Sequence, residues 1–209
     1  MNPLKRRILD LSFKHKLSHI GSCLSTVDTI DKIYSIKKKD EPFILDNAHS
    51  SLALYVILEK YEGKDAEDLL KKHGVHCNRE LADGIWASGG SLGSSVSIGI
   101  GYAFSDRKRI VYIVGSDGGV NEGSWYEALR IAADYRLENL RISIIANGYG
   151  AYSEIEAADV DNRLNVFYPT LLVRTNLYAW PDYLNGLEAH YHVLTKEEYE
   201  EITAMDENR

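Results

Sequence analysis

The sequence predicts an α/β protein built on a mainly parallel twisted sheet with helices on both faces. Three observations lead there. Residues 109–115 (RIVYIVG) and 140–146 (LRISIIA) are nearly continuous β-branched apolar runs, the pattern of strands buried on both faces. A helical pattern over 124–136 lies between them, and a strand, helix, strand succession closes by a right-handed crossover that makes the two strands parallel neighbours. Each run ends in a polar loop, SDGGVNEG after the first and Asn147-Gly148 after the second, as strands of an open α/β sheet do where they leave it.

The other elements follow in chain order. Residues 4–19 and 25–36 carry apolar positions at helical spacing, the second segment opening with Ser25 as N-cap and Asp28 in its first turn. A helix is predicted over 48–61, a short charged one over 65–73, and a long loop over 74–91, rich in Gly, His, Asn and Asp. Residues 91–104 are small throughout, which predicts a helix buried closely against a neighbour despite the cost of its glycines. Further on, helices are expected over 157–167 and 181–189, and short strands over 171–174 and 191–194. With no repeat, linker or low-complexity tract, residues 1–209 read as a single domain.

Composition bounds the function. A chain of 209 residues buries roughly 70% of its unfolded surface and needs no disulfide staples. Cys23 and Cys77 lack the spacing of a zinc or redox pair, so a reducing cytoplasm is the expected location. The basic N-terminus has no apolar core of signal-peptide length, and no apolar run approaches a membrane span. A net charge of −7 argues against general nucleic-acid binding, and the basic run 37–39, followed by Asp40 and Glu41, reads as a solvated helix end.

Chemistry is expected at the two strand ends. Asp117 and Asn147 bring an anionic and a neutral oxygen together beyond the sheet's carboxyl edge, where α/β sheets bind ligands. Such oxygens suit magnesium, which takes few ligands from protein and the rest from phosphate and water. Gly118 and Gly119 let backbone approach a diphosphate near a helix N-terminus. Taken alone, Asp-Gly and Asn-Gly after a strand are also common turns.

The order of the surrounding residues is more specific. GSDGGVNEGSWYEALRIAADYRLENLRISIIANGY resembles the thiamine diphosphate signature of the transketolase family, with 30 residues from Asp117 to Asn147. SHIGSCLSTVDTIDKIY, FILDNAHSSLALY and SGGSLGSSVSIGIGYA are similar to three upstream motifs of the same family, so the resemblance covers roughly residues 5–155. It implies the thiamine diphosphate-binding fold and binding of that cofactor with magnesium, or calcium or manganese in its place. Asp117, Asn147 and the carbonyl of Tyr149 match the metal ligands, and Ser116, Gly118 and Gly119 flank the diphosphate. His49 and His76 match histidines on the cofactor's diphosphate and thiazolium side, His19 one that reaches substrate hydroxyls, and Gly90, Ser91 and Leu92 the segment approaching the aminopyrimidine. His19, His76 and Glu122 are the catalytic candidates. Glu122 corresponds to an acidic residue that communicates between paired sites; its other reading is a carboxylate favoured by a helix dipole.

The resemblance also implies what is missing. The family's activating glutamate belongs to a second, similarly folded domain, so a C-terminal transketolase-like partner chain is implied, in an α2β2 heterotetramer that transfers a two-carbon ketol unit between sugars or sugar phosphates. The alternatives are a deoxyxylulose phosphate synthase, a 2-oxo acid decarboxylating component and a non-catalytic cofactor-binding or regulatory subunit. The sequence departs from the family pattern at Ser116, at Ser94-Ser95, at Ile145 and at Asp46-Asn47-Ala48, where Asp46 places a carboxylate near the path of an anionic ligand. Past residue 155 the resemblance fades, and neither His190 nor His192 matches the family's later histidine.

Overall fold

A computed structural model describes residues 2–150, 153–175 and 180–205. Four strands, β1 (Phe43–Leu45), β2 (Val111–Ser116), β3 (Leu140–Ala146) and β4 (Leu171–Arg174), form one sheet in the order β1-β2-β3-β4. All three pairings are parallel, and β2 and β3 run in register from Val111 opposite Leu140 to Ser116 opposite Ile145. The expected fold class therefore holds. Side chains alternate across the sheet: Tyr112 and Val114 join one core, Val111 and Ile113 the other.

On the first face lie α1 (Pro3–His15), α2 (Ile20–Ile36), α3 (Ser51–Glu62) and α4 (Ala66–His73), with Leu9, Val27, Tyr55 and Leu58 buried among them. The second face is covered by α5 (Ser94–Ser105), α6 (Gly123–Asp134) and α7 (Ala157–Asn165), around Trp125, Leu129 and Leu164. The last helix, α8 (Lys196–Ala204), begins with a capping box of Thr195 and Glu198 and returns to α1, where Tyr199 stacks on Phe13 and donates to Asp10 at 2.7 Å. No helix among the described residues is long and apolar enough to cross a membrane.

Several expectations need correction. The second helix starts at Ile20, not Ser25; Ser25 is inside it, its hydroxyl donating to the Gly21 carbonyl at 2.7 Å. Gly21 and Ser22 look like a break in sequence, yet small size at Gly21 is a packing requirement, since a Cβ there would lie 2.9 Å from the Leu184 carbonyl. The first helix ends at His15 because Lys16 turns left-handed. The buried small-residue helix is half right: Gly99 lets α5 sit directly on Ile113, whereas Ser97, Ile98, Gly101 and Phe104 face outward. Residues 181–189 form no α-helix and 191–194 no strand. Instead two 3-10 turns, Asp182–Leu184 and Glu188–Tyr191, are separated by Gly186 at φ 87°. Nothing in the sequence pattern predicts β1, since three residues carry no measurable period.

Candidate functional site

A cavity of about 400 Å³ opens over the carboxyl ends of β1, β2 and β3, where an open parallel sheet is expected to bind its ligand. Of the residues singled out from sequence, His19, His49, His76, Gly90, Ser91, Leu92, Ser116, Asp117, Gly118, Glu122, Asn147 and Tyr149 line it. Gly119 does not. It is buried behind the loop, its N–H donating to the Ser116 hydroxyl at 3.3 Å. No lysine or arginine is among the lining residues described.

The β2 and β3 ends are joined by one carboxylate. Asp117, 2% exposed, continues the ladder through its N–H to the Ile145 carbonyl. One of its oxygens accepts the N–H groups of Asn147 and Gly148, both at 2.8 Å, and the other accepts that of Gly118 at 3.0 Å. Burial pushes the carboxyl above its usual range, and those backbone donors oppose the shift. The Asn147 side-chain oxygen accepts the Tyr149 N–H at 2.9 Å, which folds its loop back toward Asp117. A carboxylate and an amide oxygen, each with lone pairs left over, thus stand at adjacent strand ends.

A second buried carboxylate corrects an expectation. Asp46, at the end of β1, does not present a free charge to an incoming anion. Its oxygens accept N–H groups of Gly93, Ser95 and Val96 at 2.9–3.2 Å and the Trp125 indole N–H at 2.9 Å. It caps α5 from outside that helix, where the dipole favours a negative charge, and ties α5 and α6 to β1. Burial still raises its carboxyl above the usual range. Next to it Asn47, 1% exposed, donates to Thr26 and Ser50, while its side-chain oxygen has no partner although the residue lines the cavity.

The histidines gather at the other end. The His19 and His49 rings are 5.2 Å apart, and His190 and Tyr191 lie 6.0 and 5.7 Å from His19. Burial, then the neighbouring histidines, brings His49 down to about 3, and His19 is lowered for the same reasons. Near neutral pH both are uncharged imidazoles, able to donate or accept a hydrogen bond. His76 stands on a loop pinned by the Cys77 N–H, which donates to the Ser51 hydroxyl at 3.0 Å, and by the Gly89 N–H, which donates to the Cys77 carbonyl at 3.0 Å. Glu122, the N-cap of α6, is exposed, and its carboxylate makes no capping bond to the helix.

Sequence reasoning missed Ser22, Ser25, Thr26, His190 and Tyr191 as cavity residues. The α2 residues follow once the helix is known to start at Ile20, since positions 22, 25 and 26 then share a face with residue 19. No local signal marks His190 and Tyr191.

Known proteins resemble this arrangement. The chain is 29% identical over 156 residues to an apulose-4-phosphate transketolase component of Phocaeicola vulgatus, one of the paired chains of that enzyme by its name, covering 65% of this chain and 55% of that one. It is 26% identical over 159 residues to a 6-deoxy-6-sulfo-D-fructose transketolase subunit of a Clostridium species, covering 66% and 58%. The chain thus spans a little over half the length of these curated relatives. The solved transketolase of Leishmania mexicana superposes with a TM-score of 0.66 at 16% identity, over 82% of this chain and 35% of that one, which shows a common fold. No family model matches the chain. In sequence and in fold the chain is similar to transketolases, as its motifs imply.

Proposed function

We propose that this chain, acting as one domain over residues 1–209, is the cofactor-diphosphate subunit of a split transketolase. It binds thiamine diphosphate with a divalent cation, magnesium for preference, and works with a C-terminal partner chain in a heterotetramer. The observation that carries this reading is the meeting of Asp117 and Asn147 at adjacent strand ends, on the floor of a cavity whose walls come from all four motif segments.

The donor set fits the group. Among the described residues no three His, Cys, Asp or Glu side chains are grouped to hold a metal, so a zinc-type centre has no support. A hard cation asks for less: one carboxylate from Asp117, one amide oxygen from Asn147 and the Tyr149 carbonyl, with phosphate and water completing its shell. A cation there offsets both the buried Asp117 charge and the diphosphate, which the cavity needs because no lysine or arginine among the described residues lines it. Ser116, Gly118 and Gly119 hold the diphosphate side, His49 and His76 donate to it as neutral imidazoles, and Gly90, Ser91 and Leu92 border the aminopyrimidine. When bound, the cofactor supplies the electron sink for cleaving a ketose carbon–carbon bond and passing on a two-carbon unit. His19 contacts sugar hydroxyls, Glu122 faces the partner, and the activating glutamate comes from the partner chain.

Calorimetric titration of thiamine diphosphate with magnesium into the chain, alone and with a C-terminal transketolase-like chain, tests the reading. Binding that appears or tightens with the partner, followed by ketose rather than 2-oxo acid turnover, is the expected result. Absence of binding in both titrations would refute it, and binding without turnover of any donor would favour a non-catalytic role.

A further inference from the structure

His19 has an unusual backbone. It is one of three non-glycine residues at positive φ among those described, with φ 59° and ψ 26°, and α2 begins immediately after it. A left-handed conformation costs a non-glycine residue roughly 1–2 kcal/mol and persists where its surroundings enforce it, commonly at functional sites. Its own side chain does not cap the helix. The His19 N–H instead donates to the carbonyl of His190, far along the chain, at 2.9 Å. The ring is confined as well: Nδ1 pairs with the Ser18 hydroxyl at 3.0 Å, and His49, His190 and Tyr191 surround it.

The turn that supplies this carbonyl is firmly built. Leu184, Ala189 and Leu194 are buried, and Asn185 donates to the carbonyls of Trp180 and Pro181. His192 pairs with Glu198 at 2.9 Å, and Tyr183 donates to the Glu198 carbonyl at 3.2 Å. Between this turn and Gly21 and Ser22 of α2 remains a crevice of about 10 Å³, close to the volume of a single water. Tyr191 is the exception in this anchored segment. It is 77% exposed, lines the cavity, and sets its ring edge-on against His19. An aromatic held in water by a rigid turn contributes little to the core. Beside a polar cavity it offers a flat apolar face.

We propose that the turn Glu188–Tyr191 is a substrate-positioning wall: its His190 carbonyl and Tyr191 ring fix His19, and Tyr191 presents its face to the carbon chain of a polyhydroxylated substrate. This rests on the transketolase reading for the identity of the substrate, though not for the positioning of His19. Tyr191 is a positioning residue for His19 and a contact residue for the sugar. Because the aromatic face does both, the hydroxyl is dispensable.

The test compares Tyr191→Ala with Tyr191→Phe, both at an exposed position where folding is not at stake. In the chain alone, proton NMR titration of His19 reads the wall without cofactor. Losing the ring admits water and raises the His19 midpoint, whereas Tyr191→Phe leaves it unchanged. In the complex with the partner, Tyr191→Ala raises KM for the ketose donor about five- to tenfold, the scale of one aromatic contact, while cofactor affinity stays within about twofold of wild type. An unmoved His19 midpoint in Tyr191→Ala, a phenylalanine variant that behaves like the alanine one, or cofactor affinity falling in step with KM would each overturn the wall. Failure of the transketolase reading has a different signature, a wild-type pair with no ketose turnover beside an intact NMR response.

Discussion

The two ends of the cavity are held in different ways. At the strand ends, Asp117 and Asp46 are buried carboxylates whose oxygens are filled by backbone and indole N–H donors, three for Asp117 and four for Asp46. At the histidine end, rings stand 5.2–6.0 Å apart and are held by one main-chain bond to a turn far along the sequence. The first end is rigid because each group there would be costly to leave unpaired. Small relative motions of α2 and the turn are cheap at the second, where few polar groups lose a partner. Rigidity at the diphosphate end suits anchoring, and latitude at the other suits a group that must follow a reacting substrate.

The largest expected effect is at the anchored end. Asp117→Ala removes a cation ligand and leaves three backbone donors without an acceptor, and Asn147→Ala removes the second ligand. Either should weaken metal-dependent cofactor binding at least about a hundredfold, ~3 kcal/mol, in calorimetric titration. His19→Ala should leave that affinity nearly unchanged and reduce turnover instead. The reverse ranking would mean that the two ends have been assigned the wrong way round.

Asp46→Ala comes next. It strands the Trp125 indole N–H and three donors at the start of α5, so stability should fall by about 2–3 kcal/mol in urea unfolding. The emission of Trp125, which is fully buried and bonded to this carboxylate, should shift with it. A neutral effect would show that water replaces the carboxylate easily and that this end of the cavity is less rigid than its hydrogen bonds imply.

What can be read from the sequence follows the same division. Asp117 and Asn147 stand at the ends of six- and seven-residue β-branched strands, whose pattern and whose Gly-rich exits are local signals. Residues matched through a short motif, such as His49 and His76, line the cavity as the resemblance implies. Asp46 stands out as a departure from the motif, but its role is not legible, because its partners lie 47 to 79 residues away. His190 and Tyr191 are out of reach for a similar reason: two 3-10 turns have no 3.6-residue period to find, and their partner His19 lies near the other end of the chain. The start of α2 is misplaced by pattern because Ser25 satisfies the N-cap rule while the actual N-cap, His19, is held by a tertiary bond.

The smallest of these effects comes from His49, which lies between the two ends and can be studied through pH. Its folded value of about 3 lies below the roughly 6.5 of an unfolded histidine. Above about pH 6.5 both states are neutral and His49 contributes no pH dependence. As the pH falls from about 6.5 toward 3, the unfolded chain binds a proton that the folded one refuses, so stability is lost across that window. Asp46 and Asp117 act in the opposite sense, since their raised values make the folded state the better proton acceptor at acid pH. They are common to wild type and His49→Gln, so the difference between the two curves isolates His49. Urea unfolding should show the variant gaining about 1–2 kcal/mol on the wild type between roughly pH 7.5 and pH 4.5, less than the full shift implies because the imidazole borders a water-accessible cavity. Parallel curves would mean that His49 takes up its proton freely in the folded protein and belongs with the looser end of the cavity.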